Sequence, residues 1–133
     1  MPNVHIDWIA VVLASVVNMA VGFLWYSRQF FGLEWSRLTG RKLSEMSSNA
    51  GYVLTTLGAF VQSWILAHFL NYSGSTSFAQ GAVTGFWLWL GFTGITSALS
   101  LVFEKRPTKL WIINAGYFLV VLVINGGLIA SLS

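Results

Sequence analysis

The chain has no cysteine, which excludes disulfides, thiol redox chemistry and thiolate metal sites. Charge is almost as scarce. Lys, Arg, Asp and Glu make up 8% of the residues against 56% hydrophobic, where a soluble domain carries about 25% charged residues. So few charges cannot cover a surface that faces water, and lipid is the expected outer solvent. The length of 133 residues fits one domain. A formal charge of +3 could point to nucleic acid. The seven basic residues fall in two clusters beside apolar runs, however, and read as topology signals and contacts to anionic headgroups, so no nucleic-acid partner is expected.

Other absences narrow the function. No Lys or Arg precedes the first apolar run, Asp7 stands there instead, and the run is too long for the core of a signal peptide. The first helix is therefore expected to stay in the mature protein. There is no activated serine, no HExxH pattern, no phosphate-cradling glycine loop and no carboxylate pair. Glu34, Glu45 and Glu104 sit in basic loops where ion pairs account for them. The chain reads as a non-enzyme, and no cofactor is expected.

What is present is four apolar runs, about Ile6 to Tyr26, Gly51 to Tyr72, Phe78 to Phe103 and Leu110 to Leu132. At 1.5 Å rise per residue, about 20 residues cross the roughly 30 Å hydrocarbon core. None of the runs carries an interior Asp, Glu, Lys or Arg; one at a helix centre would cost about 2.5–3.5 kcal/mol on insertion. The fold class is all-α, a single domain of four transmembrane helices.

All seven cations lie on one side of such a bundle. Arg28, Arg37, Arg41 and Lys42 separate the first two runs, and Lys105, Arg106 and Lys109 separate the last two. The positive-inside rule makes that side cytoplasmic and leaves both termini outside. In the first of these loops Phe31, Trp35 and Leu38 recur at helical spacing, with Glu34 and Arg37 one turn apart and Gly40 at a C-cap position. Residues Arg28 to Thr39 read as a short helix in the headgroup plane or as an extension of the first span. Ser44 is a candidate N-cap for the second span, with Glu45 suited to its positive end. Pro107 suits the first turn of the fourth.

Polar residues inside the spans admit two readings. Asn18 ends a stripe with Ala10 and Ala14 that Gly22 continues. Gln62 marks the second span, Thr93, Thr96 and Ser100 share a face with Trp89 on the third, and Asn114, Tyr117 and Asn125 line one face of the fourth. They form either a polar track for a solute or hydrogen-bonding glue between helices, and neutral residues at these spacings favour glue. Trp64, Trp87 and Trp89 lie too deep for an interfacial belt, so their indole N–H groups want protein partners or line an apolar pocket. His5, Asp7 and His68 are weak candidates for a divalent metal, with solvation as the plain alternative.

Two stretches carry a family resemblance. Gly22-Phe23-Leu24-Trp25-Tyr26-Ser27 with Phe31-Gly32 and Trp35, and Phe103-Glu104-Lys105-Arg106-Pro107 with Lys109-Leu110-Trp111-Ile112-Ile113-Asn114-Ala115-Gly116-Tyr117, resemble the first- and last-span signatures of a small bacterial membrane family, domain of unknown function 1761. The resemblance implies four spans and a bacterial inner membrane, and brings no activity or catalytic residue. Phe118 stands where the family pattern carries a polar residue. The expected function is a homo-oligomeric pore or transporter for a small solute. The alternative is an accessory protein docking a partner or anionic lipid through its basic loops. In intact cells, an impermeant amine reagent added from outside should leave Lys42 and Lys105 unlabelled; labelling of either would overturn the orientation.

Overall fold

The computed structural model describes residues 4–42 and 48–133. Among them the chain is helical throughout and has no strand. The first span is α1 (Trp8–Trp25). Asp7 starts it, its carboxylate accepting from the backbone N–H groups of Ile9 and Ala10. A short helix, α2 (Gly32–Thr39), follows, ending on Gly40 with φ of 71°. It starts later than the expected Arg28, because residues 27–31 form a turn closed by the Phe31 N–H on the Trp25 carbonyl.

The second span is α3 (Asn49–Ser73), capped by the Ser48 hydroxyl accepting from the Gly51 N–H. The expected cap Ser44 and its neighbour Glu45 lie outside the described residues. The third span runs from Phe78 to Phe103 as α4 (Phe78–Leu88), a π-helical turn (Trp89–Gly94) and α5 (Ile95–Phe103). The last is α6 (Thr108–Leu132), with Pro107 at its N-cap rather than inside its first turn. All four are long and apolar enough to cross a membrane.

Helix α6 is the hub. Half of its most apolar window is buried, against 6% for the third span, and it touches every other helical element. Its most extensive partner is α4, running antiparallel. Glycines set that separation. A Cβ on Gly81 would stand 2.0 Å from the Gly126 carbonyl oxygen, and one on Gly85 would stand 2.1 Å from that of Leu122. Backbones this close gain dispersion contacts, the main force joining helices in a solvent as apolar as their side chains.

Small residues also place α1. Ala10, Val11 and Ala14 pack with Leu66, Ala67 and Leu70 of α3 and with Leu122, Ile129 and Ala130 of α6. This core fills the half of the bundle away from the basic loops. Gly126→Val should therefore part α4 from α6, lowering stability by about 3 kcal/mol or more, since overpacking already costs 1–3 where no backbone is in the way. Gly91→Ala, whose Cβ meets nothing within 4 Å, should be neutral or slightly stabilising. Thermal unfolding of the purified variants in one detergent checks both.

Candidate functional site

The apolar core gives way at Asn18. From there towards the basic end, α1, α3 and α6 enclose a cavity of about 760 Å³, within the range of about 300–1,000 Å³ usual for ligand pockets. Its floor is an amide and phenol cluster from all three helices. Asn18 Nδ2 donates to Gln62 Oε1 at 2.7 Å. The Tyr117 hydroxyl donates to Asn18 Oδ1 and lies 3.0 Å from the Asn18 carbonyl. Met19, Phe23 and Phe118 give apolar walls, and Tyr52 and Arg28 stand at the mouth. The exposed lining residues Phe23, Tyr52, Thr55 and Gly58 lie on α1 and α3, so the cavity opens along that seam.

The cavity offers donors and no anion. Gln62 keeps its amide N–H₂ after its oxygen is taken, and the Thr55 and Tyr52 hydroxyls and the Arg28 guanidinium have no partner among the described residues. Among the described residues no Asp or Glu lines it. Glu34, the nearest acid in sequence, is held elsewhere, on Arg37 and, at 3.3 Å, on Lys109, which ties α2 to the start of α6. The Arg37 hydrogen bond, with help from Lys109, holds the Glu34 carboxyl below its ordinary value.

Below the mouth, α1 and α6 are joined by a polar seam. Trp25 Nε1–H donates to the Ile113 carbonyl at 2.9 Å, and the Tyr26 hydroxyl to Asn114 Oδ1 at 2.7 Å. The rings of Tyr26 and Tyr117 meet edge to face at 5.6 Å. A Cβ on Gly22 would press the Tyr117 hydroxyl at 3.2 Å, and one on Gly116 the Trp25 ring at 3.3 Å. The two stretches singled out in the sequence, Gly22 to Ser27 and Trp111 to Tyr117, are thus two sides of one contact. A family model described as a protein of unknown function, DUF1761, matches residues 9–130. This chain belongs to that family. No curated protein and no solved structure matches it.

Of the residues expected to form a polar track, Asn18, Gln62 and Tyr117 come together, with Asn114 joined to Tyr26 beside them. Asn125 stands apart in the core, donating to the Ala14 carbonyl at 3.0 Å, and its Oδ1 is buried without a partner among the described residues. Thr93 and Ser100 border a second cavity of about 140 Å³ with Ser97 and Trp111. Thr96 faces outward. The π-helical turn shifts the register, so Ser97 takes the inward place and accepts from Trp111 Nε1–H at 2.9 Å.

The three deep tryptophans do not share a pocket. Trp89 Nε1–H donates to the Ala115 carbonyl at 2.8 Å. Trp64 stacks on Trp8 and meets His68 edge-on, and Trp87 is exposed beside Phe86. The weak metal candidates are likewise separated in role. Asp7 caps α1, His5 is exposed, and His68 Nδ1 sits 2.9 Å from the Trp64 carbonyl. Among the described residues no three such side chains gather. Of the remaining cations, Arg106 pairs with Glu104 at 2.9 Å, Arg41 accepts the Ser36 hydroxyl on its carbonyl, and Lys42 and Lys105 are exposed.

Sequence reasoning did not bring Tyr26 and Tyr52 to this cavity. The signal was that the Gly22–Tyr26 run closes α1, mirrored by Asn114–Tyr117 near the start of α6. In a double-mutant cycle of Asn18→Leu and Tyr117→Phe, unfolding free energies in detergent should show a coupling of about 0.6–1.7 kcal/mol, the range for hydrogen bonds between membrane helices. A coupling of zero would mean that the contact contributes nothing.

Proposed function

We propose that this protein is a carrier for a small solute, acting as a homo-oligomer in a bacterial inner membrane and not as an enzyme. One observation carries the reading: a cavity of ligand size that runs from the basic end of the bundle to an amide floor at mid-span. Beyond that floor lies packed apolar core. A blind cavity in each chain suits a carrier that opens to one side at a time better than a standing pore. The positive-inside rule turns the basic end to the cytoplasm and both termini outward, with α2 in the headgroup plane. The little-buried third span leaves an apolar face that a second copy would cover.

The second reading has a specific observation behind it. Arg28, Lys42 and Lys105 are exposed at one end, and near an anionic leaflet each could contribute about 1 kcal/mol of attraction. An accessory role on anionic lipid would use these cations and leave the cavity idle.

Flux measurements separate the two. Liposomes containing the pure protein should pass at least one solute of a broad ion and metabolite panel, and Asn18→Leu and Asn114→Leu should bring that flux close to the protein-free background. A silent panel with wild-type protein, or equal flux from all three proteins, would reject the carrier and leave the lipid-docking reading.

A further inference from the structure

The cavity's chemistry narrows its occupant. We propose that the solute is an acidic single-chain amphiphile with an oxygen atom part-way along its apolar body, a claim that rests on the cavity being the solute's seat. Three features of the lining lead there.

The mouth carries a cation that no acid among the described residues neutralises. Arg28 makes no ion pair or hydrogen bond among the described residues, while Glu34 and Glu104 are engaged with Arg37, Lys109 and Arg106. The Tyr52 hydroxyl lines the same cavity and is also without a partner among the described residues. A guanidinium and a phenol O–H together suit a carboxylate or a phosphate monoester, which accept charge-assisted hydrogen bonds in paired geometry.

The walls behind the mouth are apolar and aromatic. Met19, Phe23 and Phe118 line one side, and on the facing helix Gly58 leaves the wall thin, with nothing within 4 Å of where its Cβ would be. The lips formed by α1 and α3 lie on the side of the bundle that faces lipid. A hydrocarbon chain could enter there laterally with its head held in the polar layer.

The deep end is not apolar. Gln62 lies there, on the face of α3 that carries Thr55 two turns, or about 10 Å, nearer the opening. Each presents a donor without an acceptor among the described residues. A bare alkyl chain would cover the Gln62 N–H₂ and leave it unsatisfied, at a cost of about 1–3 kcal/mol. An occupant with a hydroxyl or carbonyl oxygen at the depth of Gln62 satisfies that amide, while Thr55 stays exposed at the opening. The Arg28 guanidinium and the Gln62 N–H₂, unpartnered among the described residues, can only donate, so the occupant supplies an acceptor at each end of the cavity.

Competition binding read by native mass spectrometry tests this, using the full-length protein and four probes of equal chain length: octadecanoate, octadecyl phosphate, octadecanol and octadecanoate carrying a mid-chain hydroxyl. Both acids should outcompete the alcohol by about tenfold or more, equal to 1.4 kcal/mol, and their ranking tells a carboxylate head from a phosphate head. The hydroxy acid should outcompete the plain acid. Arg28→Gln should bring the acids down to the level of the alcohol. Gln62→Leu should erase the preference for the hydroxy acid while keeping that of acid over alcohol. Gly58→Trp, which fills the cavity from an open position, should abolish binding of all four, with thermal unfolding of each variant confirming that it is folded. Equal binding of acid and alcohol that Gly58→Trp blocks would overturn the acidic amphiphile and leave the cavity as the solute's seat. Binding of none, or binding indifferent to Gly58→Trp, would overturn both.

Discussion

Hydrocarbon offers a polar group no partner, and this single condition shapes the interior of the molecule. A buried N–H or O–H must find its acceptor within the chain or cost several kcal/mol. In a bundle whose backbone oxygens are already engaged in helices, the available acceptors are the second lone pairs of carbonyls. Helix α6 lends two of them, Ile113 to the Trp25 indole and Ala115 to the Trp89 indole, while its own Asn125 uses the Ala14 carbonyl. Its Tyr117 hydroxyl closes on Asn18. These bonds fix rotation and register, because an indole reaches one carbonyl and not the next one a turn away. The centrality of α6 follows from being the helix to which the others' polar side chains are tied.

The same condition divides the bundle into a tight half and an open half. Where only apolar contact is available, helices gain by approaching closely, and the sequence supplies Ala10, Ala14, Gly81, Gly85 and Gly126 at the contact positions. Along α1 the stripe then changes character. Asn18 and Gln62 meet through their amide ends, which holds α1 and α3 farther apart than two alanines would, and Phe23 and Tyr52 follow as large rings 6.1 Å apart. Bulky residues around a thin Gly58 leave volume between the helices. The cavity is thus a consequence of the order of side chains along two antiparallel spans.

Much of this was legible in the sequence, for reasons that can be named. Four spans were readable because charges are missing from them, and insertion cost makes such an absence informative. The importance of Asn18 and Tyr117 was readable from helical spacing, since each sits on a face otherwise built of small or apolar residues. What spacing cannot supply is the partner across the bundle: nothing local in Tyr26 says that it reaches Asn114. The π-helical turn was also invisible, because its Trp89 indole reaches the Ala115 carbonyl of another helix while its ring lies against Gly94. A strictly α-helical register therefore put Thr96 on the inward face where Ser97 belongs. The three deep tryptophans were grouped by depth alone, and azimuth around the helix sends them to three different neighbours.

The helix contacts of the tight half and the open half differ in how readily they give. The α4–α6 contact rests on backbone against backbone at three glycines, and sliding it by a residue would drive a side chain into a carbonyl. The Asn18–Gln62 contact is one neutral hydrogen bond between side chains that can re-pair with an incoming oxygen, of a kind that averages only about 0.6 kcal/mol between membrane helices. For a carrier, which must expose one seat to two sides, the element that moves is the one whose contacts a solute can replace. That places the hinge of any such cycle on α1 and α3, with α4 and α6 as the fixed frame, and it puts the floor of the cavity at the point where solute and helix compete for the same donors.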